Sequence, residues 1–278
     1  MEKMTIGKEL NFRGIGIHSG KVVDLALKPS DSGEIVFRRT DRDGLEIRLD
    51  PRSTGARNCS YLAAGNCRIQ TVEHLLAALS GFGVDSLLIE VGGGEVPILD
   101  GSALPFAEAL AGTETRPVGP GKKVLKVLKR FVVEAGGASL EVLPDPGFQV
   151  SYFIDFDHPA VGKQEIDLKV TEGTFRVGIA PARTFGFLKD VPELQRQGLA
   201  LGGSFANAII LDAEKVVNGP LRFPDEFVRH KVLDLVGDLY LFGCPVSGRF
   251  VARKAGHGLH LQAVKFLLDH PEYGEYRE

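Results

Sequence analysis

The first third of the chain alternates apolar and polar positions over short stretches. Residues 22–27 read VVDLAL and residues 34–37 read EIVF, with glycine and proline between such stretches. Alternation with a period of two places successive side chains on opposite faces of a strand. This region is therefore predicted to form short antiparallel strands.

The pattern changes at Thr71, where apolar residues begin to recur at helical spacing in the sequence TVEHLLAAL. Gly81 and Gly83 follow, and glycine favours the end of a helix. The next apolar run, residues 86–91, has the length and composition of a strand. The sequence predicts a helix followed by a strand.

Residues 113–123, TETRPVGPGKK, combine proline, glycine and charge in the way that is typical of a connection. We therefore expect two domains, residues 1–117 and 124–278, which agrees with a chain of 278 residues at ~150 residues per domain. The elements predicted after the connection are strands at 124–134, 139–143, 149–156 and 248–252 and a helix at 227–242.

Two helix-opening segments resemble each other. Residues 72–76 read VEHLL and residues 228–232 read VRHKV, and each helix is followed by glycine and then by a strand. A duplication would give an α+β fold of two similar layers packed face to face, with a site between their helices. The matching residues are few, so a chance similarity is the alternative.

The charge of the chain disfavours a role in binding nucleic acids. The 33 Lys and Arg residues against 36 Asp and Glu give a net charge of -3, so the protein has no general attraction to a phosphate polymer. No apolar run approaches the ~18 residues of a membrane span, and the first twelve residues lack the apolar core of a secretion signal. We expect a cytoplasmic protein without stable membrane insertion.

The cysteine content restricts any metal site. The three cysteines, Cys59, Cys67 and Cys244, do not resemble a disulfide framework, and a site of four cysteines is impossible. A metal would have to be held mainly by imidazole and carboxylate groups, and the chain offers seven histidines.

Three of these candidate ligands suit one metal ion. His230 and Asp234 are four residues apart on a predicted helix, so their side chains share a face. His74 has the corresponding place in the other helix. Two imidazoles, one carboxylate and an open position for water are typical of catalytic zinc. The alternatives are an ordinary pair on a helix surface and a histidine at a helix start.

Two further groups could transfer protons beside such a metal. Glu73, next to His74, could accept a proton from a zinc-bound water, or it could be a first-turn acid favoured by the helix dipole. Asp238 follows Asp234 by one turn and could fix the tautomer of His257 and raise its pKa. A histidine between two glycines is also common in turns.

Two blocks add polar groups to apolar surroundings. Residues 182–187 read ARTFGF, and residues 201–204, LGGS, follow an apolar patch. Such segments could wrap an apolar ligand or fold back onto their own core, and periodicity does not distinguish the two.

Seven segments occur in a fixed order over nearly the whole chain. They are GIGIHSG from Gly14, TVEHLLAAL from Thr71, EVPILDGSA from Glu95, ARTFGF from Ala182, LGGS from Leu201, RHKVLDLVGDL from Arg229 and GHGLHLQ from Gly256. Any one of them is weakly specific, whereas the ordered set is highly specific. On these segments the chain resembles the UDP-3-O-acyl-N-acetylglucosamine deacetylases, zinc amidases of lipid A biosynthesis in Gram-negative bacteria.

The resemblance implies an α+β fold of two similar domains, each a β-sheet with two helices on one face, and an active site at the domain interface. It implies hydrolysis of the acetamido group of UDP-3-O-acyl-N-acetylglucosamine, with zinc as the cofactor and acetate as a product. The partner would be this small acylated UDP-amino sugar and not a nucleic-acid polymer, and the protein would be a monomer.

The resemblance also implies roles for individual residues. The implied zinc ligands are His74, His230 and Asp234, and the implied general base is Glu73. His257 would be a protonated group that stabilises charge and assists the leaving amine, oriented by Asp238. Lys231 would bind substrate and contribute positive charge, and Thr184 would contact the oxyanion.

An insert around residues 185–203 would form the passage for the acyl chain. The implied neighbours of the lipid are Phe185, Leu199, Leu201 and Gly202. His18 falls in a family motif near the metal without being implied as a ligand, and His260 stands where the family more often has Asn. The roles of these two histidines stay open.

Two other functions are weighed against this one. A zinc amidase of another nucleotide sugar or acylated amine would use the same catalytic residues, so only a turnover assay separates it. A non-catalytic module that binds a nucleotide or lipid is disfavoured, because it gives no reason for Glu73 beside three potential ligands.

Overall fold

The computed structural model describes residues 2–56 and 58–278, which form nineteen strands and six helices. In chain order the strands are β1 (Glu2–Ile6), β2 (Leu10–Ile15), β3 (Val22–Pro29), β4 (Ile35–Arg39), β5 (Leu45–Arg48), β6 (Thr54–Ala56), β7 (Ser60–Ala64), β8 (Cys67–Gln70), β9 (Leu87–Val91), β10 (Thr115–Pro120), β11 (Val124–Val127), β12 (Phe131–Ala135), β13 (Ala138–Leu143), β14 (Phe148–Asp155), β15 (Lys163–Lys169), β16 (Phe185–Phe187), β17 (Ile209–Leu211), β18 (Val246–Arg253) and β19 (Gly274–Arg277). The helices are α1 (Glu73–Gly81), α2 (Leu104–Ala111), α3 (Glu172–Thr174), α4 (Val191–Arg196), α5 (Glu226–Leu239) and α6 (His257–Asp269).

The first half of the chain builds a five-stranded sheet in the order β2-β3-β9-β4-β5. Its strands show the alternation seen in the sequence, since Val23, Leu25 and Leu27 of β3 are buried while the residues between them are more exposed. Antiparallel pairing is confirmed for β2 with β3 and for β4 with β5. The strand β9, which follows α1, pairs antiparallel with β3 and parallel with β4.

A small three-stranded sheet, β6-β7-β8, leads directly into α1. The chain turns between β8 and α1 at Thr71, which has a φ of 57°. The predicted helix after Thr71 and the strand after it are confirmed as α1 and β9. After this turn α1 packs against α5 of the second half of the chain. The candidate site lies at the first residues of α1.

The second half of the chain builds a seven-stranded mixed sheet around β18. β18 pairs antiparallel with β13 and parallel with β14 and β11. The helix α5 packs on β14 and β15, and α6 packs on β12 and β13. The fold is therefore α+β, as predicted, and two principal helices pack on the sheet of the second half.

The structure changes two details of the predicted organisation. The expected connection at residues 113–123 contains a strand, β10, which pairs antiparallel with β1. The expected strand at 124–134 is two strands, β11 and β12, in the same sheet. The division into residues 1–117 and 124–278 stays a prediction.

The segment between β16 and β17 is a separate addition to the second half. These two strands pair in parallel, and the short helix α4 lies between them in sequence. This segment includes the predicted insert around residues 185–203.

The helices of the two halves meet where α1 packs against α5. Buried apolar side chains from both large sheets and from these helices form one continuous cluster. The three cysteines are buried and free, which confirms that the chain has no framework of disulfides. Within residues 2–56 and 58–278, no helix combines the length and the apolar character that crossing a bilayer requires.

Candidate metal centre and its cavity

Side chains from α1 and α5 converge at one point. His74 lies in the first turn of α1, and His230 and Asp234 lie one turn apart on α5. The Oδ1 atom of Asp234 is 3.8 Å from Nε2 of His74 and 3.4 Å from Nε2 of His230. All three residues are buried, and their potential ligand atoms lie within 4.8 Å of one another. The structure thus brings together the three residues that the sequence predicts as metal ligands.

The convergence depends on close packing of the two helix backbones. A Cβ atom built on Gly237 of α5 would overlap the carbonyl oxygen of Glu73. Any residue other than glycine would therefore push α5 away from the start of α1. Because Glu73 and His74 are neighbours, such a shift would also move His74 away from Asp234.

Hydrogen bonds fix the orientation of two of these ligands. Nδ1 of His230 donates to the carbonyl oxygen of Ala182 at 3.2 Å, which leaves the lone pair on Nε2. Lys231 donates through Nζ to Oδ2 of Asp234 at 2.5 Å. The other oxygen of Asp234, Oδ1, is buried without a hydrogen-bond partner among the described residues. A buried orphan oxygen facing two imidazole nitrogens fits a divalent metal ion.

The protonation states of these three residues also suit the binding of a metal ion. Burial, together with the neighbouring His230, lowers the pKa of His74 to about 3. Burial also lowers the pKa of His230. Burial alone would raise the pKa of Asp234, but the nearby His230 and Lys231 hold it well below its usual value. Neutral imidazoles and an ionised carboxylate are the forms that bind metals.

Glu73 lies beside this cluster at the first position of α1 and is 3% exposed. Its Oε2 accepts a hydrogen bond from the backbone N–H of Ser60 at 3.1 Å, and its Oε1 is 3.8 Å from Nε2 of His257. Burial raises the pKa of Glu73 to about 8, although His257 acts in the opposite direction. At this pKa the carboxyl group is mostly protonated at neutral pH, and a cation bound at the neighbouring cluster would shift it towards the carboxylate that can accept a proton.

A second cluster of two histidines and one aspartate lies one turn further along α5. Oδ2 of Asp238 is 2.7 Å from Nδ1 of His257 and 2.7 Å from Nδ1 of His260. Its Oδ1 accepts a hydrogen bond from the hydroxyl of Ser60. The hydroxyl of Tyr152 lies 3.1 Å from Nε2 of His260. The structure therefore places His257 on Asp238 and gives His260 a position on the same carboxylate.

The two imidazoles on Asp238 differ in charge. Burial lowers the pKa of His257, but the carboxylates of Asp238 and Asp234 outweigh it and raise the pKa to about 9. Burial lowers the pKa of His260 and prevails over its hydrogen bond to Asp238. At neutral pH one ring is a cation at the edge of the site and the other is a neutral, fully buried ring.

A cavity of about 920 Å³ opens over the first cluster and reaches His257 of the second. The polar residues that line it next to the metal cluster are Glu73, His74, Thr184, His230, Lys231, Asp234 and His257. The backbone of Thr184 is held on both sides, because its N–H donates to Gly101 at 2.7 Å and its carbonyl accepts from Ile209 at 2.8 Å. Thr184 and Lys231 thus both lie in the wall of the cavity, beside the cluster.

The remainder of the wall is mainly apolar and comes largely from the insert. Its larger apolar residues are Phe156, Phe185, Phe187, Leu188, Val191, Leu194, Phe205 and Ile210. The ring of Phe185 lies with its centroid 6.2 Å from that of His230, so this wall begins beside the metal cluster.

Three predicted neighbours of the lipid do not line this cavity. Leu201 and Gly202 donate backbone hydrogen bonds to the carbonyls of His18 and Ile17, at 3.2 and 3.0 Å. Leu199 is buried, whereas Leu201 is 51% exposed. The wall is formed instead by residues that flank them, Ala200 and Gly203.

A loop from the first half of the chain completes the cavity. His18 lines it, and the buried carboxylate of Glu95 holds this loop by accepting the backbone N–H groups of His18 and Ser19, each at 2.8 Å. Glu95 also accepts the hydroxyl of Thr71 at 3.0 Å, next to the start of α1. The structure places His18 in the wall and not among the metal-binding atoms.

Sequence reasoning missed Ser60, Tyr152 and the part played by Glu95. Ser60 and Tyr152 lie on β7 and β14, far from Asp238 in sequence, and no spacing links them to it. The segment EVPILDGSA contains Glu95, but its contact with residues 18 and 19 is formed only by the fold.

Comparisons with known proteins bear on what this site does. A model of the family described as UDP-3-O-acyl N-acetylglycosamine deacetylase matches residues 3–269. The UDP-3-O-acyl-N-acetylglucosamine deacetylase of Syntrophus aciditrophicus is 42% identical over 273 residues, which cover 96% of this chain and 86% of that protein. The protein of the same name from Oleidesulfovibrio alaskensis is 42% identical over 280 residues, covering 98% and 90%. That of Haemophilus influenzae is 40% identical over 283 residues, covering 99% and 93%.

Proposed function

Since the chain belongs to the UDP-3-O-acyl-N-acetylglucosamine deacetylase family, we propose that His74, His230 and Asp234 hold the zinc ion with which it removes the N-acetyl group from its substrate. The reaction converts UDP-3-O-acyl-N-acetylglucosamine and water to UDP-3-O-acyl-glucosamine and acetate, a step of lipid A biosynthesis. The observation that carries the proposal is the unpartnered Oδ1 of Asp234, which faces two imidazole Nε2 atoms beneath the cavity.

Two of the three proposed ligands, His230 and Asp234, are oriented by their neighbours. His74 and His230 would bind through Nε2 and Asp234 through Oδ1. The carbonyl of Ala182 and the ammonium of Lys231 each hold one ligand by its other polar atom. When bound, zinc supplies Lewis-acid chemistry, because it polarises a carbonyl group and makes a water molecule more acidic.

Glu73 acts as the general base in this proposal. The backbone N–H of Ser60 fixes Oε2, so Oε1 is the oxygen available to take a proton from the attacking water. Glu73 lines the same cavity wall as the metal cluster, at a place where water and substrate can reach it.

His257 delivers a proton to the departing nitrogen. Its Nδ1 is held on Asp238, so Nε2 points toward Glu73 and Asp234 and carries the proton to be given. Because its pKa is raised to about 9, the ring is protonated when the leaving amine forms at neutral pH. Asp238 thus acts through the orientation and charge of His257.

Lys231 and Thr184 stabilise negative charge and orient the substrate. The ammonium of Lys231 lies at the metal cluster on Asp234, and the hydroxyl of Thr184 belongs to a backbone segment fixed at both ends. Donors that are already in place before charge develops on the amide oxygen stabilise the transition state without reorganisation.

The apolar wall that begins at Phe185 takes the 3-O-acyl chain. A volume of about 920 Å³ lies within the range of small-molecule sites and leaves room for an acylated sugar. Leu199, Leu201 and Gly202 would act on the lipid indirectly. The backbone hydrogen bonds of Leu201 and Gly202 to the loop of His18 would hold the neighbouring residues Ala200 and Gly203 in the cavity wall.

All of the proposed groups come from one chain, so the protein is proposed to work as a monomer on a small molecule.

We place it in the cytoplasm, because three free buried cysteines suit a reducing compartment. We also propose residues 1–117 and 124–278 as its two domains, so that α1 and α5 bring the site together at their interface.

An assay of acetate release tests the function. Zinc-restored protein is expected to release acetate from UDP-3-O-acyl-N-acetylglucosamine, and metal-free protein is not. Zinc-loaded Glu73→Gln should keep its metal and lose about 10²–10⁴-fold in kcat, since a general base is removed. Glu108→Gln, which removes an exposed carboxylate from α2, is the matched control and should behave as wild type.

Two results would count against these assignments. Full turnover by zinc-loaded Glu73→Gln would remove this residue as the base. Zinc-loaded wild-type protein that releases no acetate would contradict the proposed reaction.

A further inference from the structure

A fully buried carboxylate near the site takes no part in the chemistry above. Glu226 is the first residue of α5, one turn before His230, and its side chain is 0% exposed. It lines no part of the cavity, so it meets neither water nor substrate there. Its role must come from the groups that it binds.

Glu226 accepts four hydrogen bonds from two arginine residues. Oε1 accepts the backbone N–H of Arg183 at 3.1 Å and its Nε at 2.8 Å. Oε2 accepts Nη2 of Arg183 at 3.1 Å and the backbone N–H of Arg222 at 2.6 Å. All of these hydrogen bonds except the last come from Arg183. We call Arg183 and Glu226 together the Arg183–Glu226 clamp.

The clamp is an ion pair even though it is buried. Burial alone would raise the pKa of Glu226, but the hydrogen bonds from Arg183 and Arg222 outweigh it and lower the pKa below its usual value. A buried ion pair gains little stability over apolar packing, because both charges lose their hydration. The ion pair instead fixes the relative position of its two side chains, since a bidentate Arg–carboxylate pair forms only in a narrow range of orientations.

The geometry that it fixes belongs to the metal site. Arg183 stands between Ala182, whose carbonyl accepts the Nδ1 proton of His230, and Thr184, which lines the cavity. Glu226 and His230 share one helix, one turn apart. The clamp therefore ties the backbone that carries Ala182 and Thr184 to the same helix face that carries the ligand.

We propose that Glu226 and Arg183 are positioning residues of the metal centre, which hold the Ala182 carbonyl against His230 so that its Nε2 faces the metal. The proposal rests on the proposed function, because it takes His230 as a zinc ligand. Neither residue touches the metal or the reacting atoms. Loss of the clamp would free the Ala182 carbonyl and let the ring of His230 rotate, which weakens metal binding.

The test compares metal affinity in Glu226→Gln and Arg183→Lys with that of the wild type. Zinc affinity is measured by competition with a chelator, and the cobalt(II)-substituted proteins are compared by visible absorption. We expect both variants to bind zinc about 10–100-fold more weakly, the usual effect of removing a group that orients a ligand. The cobalt bands should also shift, because they report ligand geometry directly.

Asp225→Asn is the matched control. Asp225 precedes Glu226 on the same helix end and forms a partly exposed pair with Arg229, at 2.7 Å. This variant removes the same charge from the same place without touching the clamp, so its zinc affinity and cobalt spectrum should match those of the wild type. Thermal unfolding of the metal-free proteins shows whether each variant is folded.

The possible outcomes separate the clamp from the function. Folded Glu226→Gln or Arg183→Lys with wild-type zinc affinity and an unchanged cobalt spectrum would overturn the proposal. Equal weakening in Asp225→Asn would also overturn it, because the effect would then be one of charge alone. If one clamp variant does not fold, the other decides. Wild-type protein that binds zinc but releases no acetate would contradict the function and leave the result for the clamp standing.

Discussion

Two clusters of the same composition lie one turn apart along α5, and they differ in how their carboxylates are satisfied. Each has two histidines and one aspartate, and in both cases potential ligand atoms lie within 4.8 Å of one another. Asp234 has one oxygen bonded to Lys231 and one oxygen that finds no hydrogen-bond partner within residues 2–56 and 58–278. Asp238 has both oxygens bonded, to Ser60 and to two imidazoles.

This difference shows why residue type alone does not identify a metal site. An ionised oxygen buried without a donor can take a cation as its partner, whereas both oxygens of Asp238 already accept hydrogen bonds. The first cluster is arranged to receive a cation, and the second to hold a proton on His257. The experiments below change one cluster at a time.

The largest effect is expected from His230→Ala, which removes one ligand from the first cluster. Zinc affinity should fall by more than ~100-fold, beyond the usual effect of losing an outer partner, and acetate release should fall with it. Metal analysis of the purified variant gives the zinc content. One tightly held zinc in His230→Ala would show that this residue is not a ligand and would remove the contrast between the clusters.

A smaller and different effect is expected from Asp238→Asn in the second cluster. Zinc content should stay at the wild-type level, while activity falls tenfold or more, since a hydrogen bond to a charged group contributes about 1.5–3 kcal/mol. Asp238 raises the pKa of His257, so its loss lowers that pKa. His257 then loses its proton at a lower pH. The alkaline limb of the pH-rate profile therefore moves toward neutrality.

A pH series of kcat for zinc-loaded Asp238→Asn makes this measurement. An alkaline limb at the wild-type pH would separate Asp238 from the protonation of His257. Loss of zinc from this variant would instead mean that the two clusters are not independent.

The smallest effect is expected from His260→Asn, which removes the second imidazole from Asp238. The amide of Asn can still donate a hydrogen bond to the Asp238 carboxylate in place of Nδ1, so kcat should change by less than about tenfold, with zinc retained. His270→Asn changes an exposed histidine at the end of α6 and is the matched control. A loss as large as that of Asp238→Asn would show that His260, and not only Asp238, governs the charge of His257.

The grouping of the three candidate metal ligands could be predicted from sequence because helical periodicity is local. His230 and Asp234 share a helix face by spacing alone, and the similarity of residues 72–76 to 228–232 pointed to His74. The strands β3 and β9 and the helices α1 and α5 were predicted for the same reason. Such patterns depend on neighbours within a few positions, which the sequence displays directly.

Contacts between remote segments could not be predicted in this way. The pairing of β10 with β1 and the hydroxyl of Ser60 on Asp238 depend on the packed fold. The same limit applies to the insert, where alternation and apolar content did not show that Ala200 and Gly203 face the cavity while Leu201 faces the loop of residues 17 and 18. In an irregular segment no period tells which side chains point inward.

The contact of Gly237 with the carbonyl of Glu73 has a consequence for how the protein becomes active during folding. The base and one imidazole come from α1, and every other proposed group that bears charge at the metal comes from α5 or α6. A polypeptide that stops before α5 therefore lacks most of these groups, and we expect it to be inactive rather than weakly active. We expect hydrolysis only when α1 is packed against α5, because the proposed base and the proposed metal ligands then lie together.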